Sequence, residues 1–238
     1  MLPTLNIKQE SRILIVSPHP DDETIGCGGI LALYGPQCDV LLLTDGRRGK
    51  PEGSYYTEEK TAAVRQAEFE AVMDFFHVCS HRELHVPDGT LGNHANAVAV
   101  DLRQYDYIFV PNRNERHPDH KAAYEILKKL YKAQNTKGTL VEYEVWSPLI
   151  AANRFLDVSA VMDRKLAGLA KYLSQIASID YEALAKGLNM YRGAPHHVAF
   201  CEAYYTAEPG QNGLKQAIAQ KLPKGLRERL AGMKKRFT

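Results

Sequence analysis

Two short clusters of histidine and carboxylate residues hold the side chains best suited to chemistry. They are His19, Asp21, Asp22 and Glu23 in the first cluster, HPDDE, and His117, Asp119 and His120 in the second cluster, HPDH. Two imidazoles and one carboxylate that leave a coordination position to water are typical of catalytic zinc. A further carboxylate beside that water can act as a general base. The two clusters therefore indicate a metal site with hydrolytic chemistry.

Either cluster alone is also typical of a helix start. Pro118 suits the first position of a helix, with His117 near the N-cap and Asp119 favourable to the helix dipole. The acids of the first cluster suit a first helical turn after Pro20 in the same way. Helix starts do not explain why two distant loops both contain His-Pro-Asp, so we favour the metal site.

The clusters follow elements that indicate an α/β fold. Short apolar runs predict buried strands at residues 12–17, 40–44, 83–86, 107–110 and 141–146. Helical patterns lie between most of them, at residues 57–76 with Thr57 as N-cap, from Pro118 onward, and at residues 160–174. This alternation predicts a Rossmann-like, mostly parallel sheet with helices on both faces. Ligands of such sheets bind outside the carboxyl ends of the strands, which is where both clusters lie.

Composition limits the class of protein. The 238 residues are 45% hydrophobic and 24% charged with a net charge of +2, which excludes a disordered chain and gives no support to nucleic-acid binding. Four dispersed cysteines are typical of a reducing compartment, and no run has the length of a signal peptide or a spanning helix. We therefore predict a cytoplasmic protein.

The charge is distributed unevenly along the chain. Residues 211–238 contain eight basic residues and one acidic residue, with apolar residues every three or four positions. We predict one domain over residues 1–210 followed by this basic amphipathic tail. Such a tail suits peripheral contact with an anionic inner membrane face, or docking on its own domain or on a second copy in a homo-oligomer.

Several strings together resemble one protein family. They are SPHPDDETIGCGG, RQAEFEAV, VPDG, HPDHKAA, DVSAVMDRKLAGLAKYLSQ and RGAPHHVAFCEAY, and they span residues 11–206. The chain resembles the PIG-L/LmbE-like de-N-acetylases. The resemblance implies an LmbE-like fold and a zinc hydrolase that removes the acetyl group from N-acetylglucosamine-type sugars.

The resemblance also implies roles for single residues. His19, Asp22 and His120 would be the metal ligands, and Asp21 would be the general base. A protonated His117 would stabilise the oxyanion together with zinc, and Asp119 would orient His117.

Contacts to the substrate are expected from Arg47, Arg65 and Asp88. Arg47 stands where many members of the family carry an acidic residue. Together with Arg48 and Arg65, it is a candidate to hold sugar hydroxyls or an anionic aglycone.

Other functions fit parts of the pattern. A deacylase of another N-acylated small molecule would use the same site. A non-haem Fe(II) enzyme shares the donor set, so Fe²⁺ stays an alternative to Zn²⁺, although a β-barrel is expected for such oxygenases. Gly26 to Gly29 suggest a nucleotide-binding loop, but the string GCGGIL lacks the GxGxxG spacing. An inactive scaffold would not need every catalytic position filled.

Overall fold

A computed structural model describes residues 3–207. Within this range seven strands form one sheet in the order β3-β2-β1-β4-β5-β7-β6. The strands are β1 (Ile13–Ser17), β2 (Cys38–Thr44), β3 (Ser80–Val86), β4 (Tyr107–Pro111), β5 (Thr139–Tyr143), β6 (Arg154–Asp157) and β7 (Cys201–Thr206). β1 to β5 pair in parallel, whereas β7 runs antiparallel to both β5 and β6. The predicted mostly parallel α/β sheet is thus confirmed.

Six α-helices accompany the sheet in the described part of the chain. They are α1 (Asp22–Tyr34), α2 (Glu58–Phe76), α3 (Pro118–Ala133), α4 (Met162–Leu169), α5 (Leu173–Ile176) and α6 (Tyr181–Gly193). The Thr57 hydroxyl accepts from the Lys60 N–H at 3.2 Å and caps α2 as predicted. None of these helices has the length and apolar character needed to cross a bilayer.

Alternating side chains place a core on each face of the sheet. Ile15 of β1 packs in one core with Phe69 of α2, while its neighbour Val16 packs in the other with Leu127 of α3. Because β1 is buried along its whole length, its sequence is almost continuously apolar. Full burial of each such side chain contributes about 1.5–3 kcal/mol.

The strand order places the functional loops. β1 lies between β2 and β4. The strands that follow β1 are added on one side of it as β2 and β3 and on the other side as β4 and β5, and at such a reversal of strand order a crevice opens at the carboxyl ends of β1 and β4. The first cluster follows β1 and the second follows β4. The sheet therefore brings the two clusters to one edge.

Four elements differ from expectation. The helix predicted at residues 160–174 is broken into α4 and α5, because the chain turns so that the Tyr172 hydroxyl donates to Glu23 and the Ser174 hydroxyl donates to Glu68. β6 and β7 were not predicted, nor was α6. The predicted tail at residues 211–238 lies outside the described residues, so it stays a prediction together with the boundary at residue 210.

Candidate active site

Three donor atoms converge where the loops after β1 and β4 meet. Nδ1 of His19 lies 3.1 Å from Oδ2 of Asp22 and 3.1 Å from Nε2 of His120. The third side of the triangle, from His120 Nε2 to Asp22 Oδ2, is 3.0 Å. Ligand atoms about 2.0–2.1 Å from a tetrahedral zinc ion lie roughly 3.3 Å apart. The triangle therefore has the size that a single metal ion requires.

The charges of this triangle favour a cation. Burial alone lowers the pKa of His120, but the Asp22 carboxylate outweighs burial and raises that pKa to about 9. Burial raises the pKa of Asp22, yet the imidazoles of His120 and His19 bring it well below the usual aspartate range. Oδ1 of Asp22 is buried and has no hydrogen-bond partner among residues 3–207.

His120 is supported from behind by a buried glutamate. Oε1 of Glu115 accepts the backbone N–H groups of residues 145–147. Its other oxygen, Oε2, lies 3.6 Å from Nδ1 of His120, and neither atom has a hydrogen-bond partner in the described part of the chain. The carboxylate is thus fixed by backbone donors and faces the outer nitrogen of the imidazole.

His19 is supported by two carboxylates. Nε2 of His19 lies 3.2 Å from Asp119 Oδ2 and 3.2 Å from Asp88 Oδ1. The Asp119 carboxylate also accepts the N–H groups of Gly89 at 2.6 Å and Leu91 at 3.1 Å. These contacts turn it toward His19, so it does not make the expected contact with His117.

His117 receives its hydrogen bond from the backbone. It is the N-cap of α3, and its Nδ1 accepts the Asp119 N–H at 3.2 Å. A neutral ring then carries its proton on Nε2. Burial, with the nearby imidazoles of His19 and His120, lowers the pKa of His117. The geometry therefore favours a neutral hydrogen-bond donor over the protonated ring that the resemblance implied.

Asp21 is held in an unusual conformation. Its φ of 123° lies in a region that non-glycine residues rarely adopt. The Asp21 N–H donates to Glu23 Oε2 at 3.2 Å, and the same oxygen accepts the Ser17 hydroxyl at 2.9 Å. Glu23, which is fully buried, thereby fixes the loop that presents Asp21.

The Asp21 side chain is held at one oxygen. Oδ2 accepts from Arg65 Nη2 at 3.0 Å and from the Tyr181 hydroxyl at 2.5 Å. Burial raises the pKa of Asp21 to about 7, although Arg65 opposes the shift. No described residue donates to Oδ1, which leaves that oxygen able to accept a proton.

A cleft of about 310 Å³ gives access to these groups. It is lined by His19, Asp21, Asp22, Arg48, Gly49, Arg65, Asp88, Gly89, His117, Pro118, Trp146, Gln175, Ile179 and Tyr181.

Of the three residues predicted to contact substrate, two line the cleft and one does not. Arg65 and Asp88 line the cleft, but Arg65 bonds to Asp21 and Asp88 faces His19. Arg47 does not line the cleft, because Asp45 holds its guanidinium elsewhere; Arg48 lines it instead.

Sequence reasoning missed several residues at the site. Glu115 stands two positions before the second cluster, and its polar character in a loop after a strand is a usable signal. Tyr181 and Trp146 carry no such signal, since Tyr181 comes from a helix that was not predicted and Trp146 was assigned to a strand.

Two glycines of α1, Gly28 and Gly29, serve packing. A Cβ on Gly28 would lie 2.6 Å from Lys165 Cγ, and one on Gly29 would lie 2.2 Å from Val158 Cγ1. The Gly29 N–H donates to Glu202 Oε1 at 2.7 Å, and the same oxygen lies 2.7 Å from Lys165 Nζ. The glycines therefore let α1 approach a buried Lys165–Glu202 ion pair.

The described residues offer two further groupings able to hold a metal ion. Donor atoms of His19, His117 and His120 lie within 4.8 Å of one another, as do those of His19, Asp88 and Asp119. Both groupings share His19, which makes this edge of the sheet one centre and not several.

Known proteins are similar to this chain in the region that contains the first and second clusters. A family model described as PIG-L, GlcNAc-PI de-N-acetylase, matches residues 14–131. A curated 1D-myo-inositol 2-acetamido-2-deoxy-alpha-D-glucopyranoside deacetylase of Kineococcus radiotolerans is 38% identical over 90 residues, which are 35% of this chain. The match spans about a quarter of that relative's length, 25%.

Solved structures share the fold over most of the chain. The N,N'-diacetylchitobiose deacetylase of Pyrococcus horikoshii has a TM-score of 0.70 at 22% identity and covers 83% of this chain and 84% of its own. GalB, the 4-carboxy-2-hydroxymuconate hydratase of Pseudomonas putida, has a TM-score of 0.68 at 18% identity and covers 83% and 97%. At these identities the likeness is one of fold, and the two activities differ.

Both clusters lie within the segment that the family model matches. Residues 14–131 therefore form a domain of the PIG-L family, described as GlcNAc-PI de-N-acetylase, and the mostly parallel α/β sheet agrees with the fold of the solved structures.

Proposed function

We propose that this protein is a metal-dependent hydrolase that removes the N-acetyl group from an N-acetylglucosamine-type sugar or glycoconjugate. The observation that carries the proposal is the triangle of His19, Asp22 and His120 beside a carboxylate, Asp21, that is fixed at one oxygen only. The curated relative is a deacetylase of an acetamido sugar, which supports this substrate class.

The residues of the triangle fit a zinc ion. Two imidazole nitrogens and one carboxylate are the donor set of catalytic zinc, and Asp22 retains a buried oxygen without a partner. We assign His19, Asp22 and His120 as the ligands, with Zn²⁺ as the metal and Fe²⁺ as the alternative. When bound, such an ion polarises the acetamide carbonyl and lowers the pKa of water toward about 7.

Asp21 acts as the general base in this proposal. Arg65 and Tyr181 occupy Oδ2, so Oδ1 removes a proton from the attacking water. The water oxygen bonds to the acetyl carbon, the C–N bond breaks, and the proton held on Asp21 passes to the leaving amine. One water is consumed, and acetate and the free amine are released.

His117 stabilises the charge that develops on the carbonyl oxygen. Its ring lines the cleft, and its Nδ1 is occupied by the Asp119 N–H, which leaves the Nε2–H to donate. Asp119 acts through His19, and Glu115 acts through His120, by fixing the orientation of those imidazoles.

We place the enzyme in the cytoplasm. The four cysteines are free and three of them are buried, as expected of a protein in a reducing compartment. Peripheral membrane contact and homo-oligomer formation depend on residues 211–238 and stay predictions.

An acetate-release screen with metal analysis tests the proposal. The full chain is assayed with N-acetylglucosamine, diacetylchitobiose, an N-acetylglucosaminyl inositol and an N-acetylated aliphatic amine, after chelation and after addition of Zn²⁺ or Fe²⁺. We expect metal-dependent acetate release from at least one of the three sugars and none from the aliphatic amine. Hydration of 4-carboxy-2-hydroxymuconate without acetate release from any sugar would contradict the proposal and favour a GalB-like activity.

A further inference from the structure

We propose that Arg48 recognises an anionic group, a phosphate or a carboxylate, carried by the amino sugar that enters the cleft. The inference rests on the proposed function and adds a substrate class to it. It assigns to Arg48 a role in specificity, distinct from the groups that bind metal or transfer protons.

Two neighbouring arginines follow β2, and they differ in their partners. Nε and Nη2 of Arg47 both donate to Asp45 Oδ2, at 2.8 and 2.6 Å, so that charge is already neutralised outside the cleft. Arg48 is exposed and lines the cleft, and within residues 3–207 no carboxylate lies within ion-pair distance of its guanidinium. Arg48 is thus a cation available to a ligand.

The turn after β3 places the Arg48 guanidinium close to the reaction centre. The Arg48 N–H donates to Asp88 Oδ2 at 3.2 Å, which fixes the backbone. Gly89 has a φ of +83°, and a Cβ there would lie 2.2 Å from Arg48 Nη1, so this glycine permits both the turn and the approach of the guanidinium. The Gly89 N–H in turn donates to Asp119, which contacts His19.

The other arginine of the cleft already pairs with a carboxylate, through Nη2, and only its buried Nε has no hydrogen-bond partner among the described residues. Arg65 is buried and donates to Asp21, Pro20 and Gly46. An anion in the cleft is therefore left to Arg48. A guanidinium presents a planar fork that matches the paired oxygens of phosphate and carboxylate. Because the same turn links Arg48 to a neighbour of His19, the anion belongs on the reacting sugar or on the group joined to it.

Binding of deacetylated sugars tests the assignment, because these ligands cannot be hydrolysed at an acetamide. Zinc-loaded full-length protein is titrated by calorimetry with glucosamine, glucosamine 1-phosphate and muramic acid, so that the phosphate and carboxylate arms are separate. The variants are Arg48→Gln, Arg48→Lys and, as the matched control, Arg47→Gln. Thermal unfolding of each variant establishes that it is folded.

We expect the unmodified protein to bind at least one anionic sugar about tenfold or more tightly than glucosamine. Arg48→Gln should lose that preference, Arg48→Lys should retain part of it, and Arg47→Gln should keep it. The preference should also decrease as NaCl is raised, because Arg48 is exposed to solvent.

Three results would overturn the assignment. They are equal affinity for charged and neutral sugars, a preference that survives in Arg48→Gln, and an equal loss of affinity for all three ligands in Arg48→Gln. Acetate release is measured separately on the N-acetylated forms. An Arg48-dependent preference without any acetate release would contradict the proposed function and leave the anion assignment standing.

Discussion

The cleft has a buried side and an open side, which the chain builds in different ways. The buried side consists of the first and second clusters, and its His120 is fully buried. The open side consists of Arg48, Trp146 and Ile179, with Trp146 43% and Ile179 38% exposed.

On the buried side, a backbone donor or a second side chain holds each functional group. Examples are the three N–H groups on Glu115 and the pair of donors on Asp21. On the open side, the Arg48 N–H donates to Asp88, whereas no carboxylate among residues 3–207 pairs with the Arg48 guanidinium. In the proposed reaction, the groups that bind metal or transfer protons are thus rigidly positioned by their neighbours. The proposed choice of substrate instead depends on Arg48, which has no carboxylate partner in the described part of the chain.

Among the variants of the buried side, we expect the largest loss of zinc and of activity in His120→Ala. His120→Ala removes one of the three proposed ligands and leaves the buried carboxylates of Asp22 and Glu115 without the imidazole between them. We expect zinc content near background and no measurable acetate release, with both checked on the same purified sample. Full zinc occupancy in this variant would show that the triangle is not the metal site. Arg47→Gln, outside the cleft, is the control and should retain its zinc.

Much of the buried side follows from the sequence. The first and second clusters each contain a histidine and an aspartate in the loop that follows an apolar strand, and parallel pairing of β1 with β4 brings His19 within 3.1 Å of His120 from 101 positions away. Short apolar runs and the helical periodicity of 3.6 locate most of the strands and helices that position the clusters.

The open side does not follow from the sequence in the same way. Arg47 and Arg48 are chemically identical neighbours, and their positions differ because Asp45 holds Arg47 while Asp88 and Gly89 admit Arg48 to the cleft. Tyr181 reaches Asp21 across 160 positions from α6, a helix that the sequence analysis did not predict. Contacts of this kind depend on tertiary packing, which local periodicity does not encode.

The next largest effect is expected at Asp21. Asp21→Asn preserves the size of the side chain and removes the proton acceptor, so we expect kcat to fall by about 100- to 10,000-fold. Zinc content should stay unchanged, because no atom of Asp21 belongs to the triangle. Single-turnover acetate release and metal analysis measure the two quantities separately. A variant with near-normal kcat would remove Asp21 from the base role.

Variants of His117 test whether, on the buried side, metal binding and stabilisation of the oxyanion are carried out by different residues. In His117→Ala the triangle keeps all its atoms, so zinc should stay bound, while loss of one donor to the oxyanion should lower kcat by about 100- to 1,000-fold. His117→Gln retains a side-chain N–H donor and should recover part of that loss. Loss of zinc in His117→Ala would instead place this ring among the ligands, as the grouping of His19, His117 and His120 permits.

The smallest effect is expected at Tyr181, where the open and buried sides meet. Its hydroxyl lies 2.5 Å from Asp21 Oδ2, and its ring centroid lies 6.3 Å from that of Trp146. Tyr181→Phe keeps the ring and removes one of two donors to Asp21, so Arg65 still holds the carboxylate. We expect kcat to fall roughly tenfold with KM and zinc content unchanged, because the lost hydrogen bond acts on the base alone. Steady-state kinetics on the best substrate of the acetate screen measure this split. A rise in KM at constant kcat would assign Tyr181 to substrate binding and would move it to the open side of the cleft.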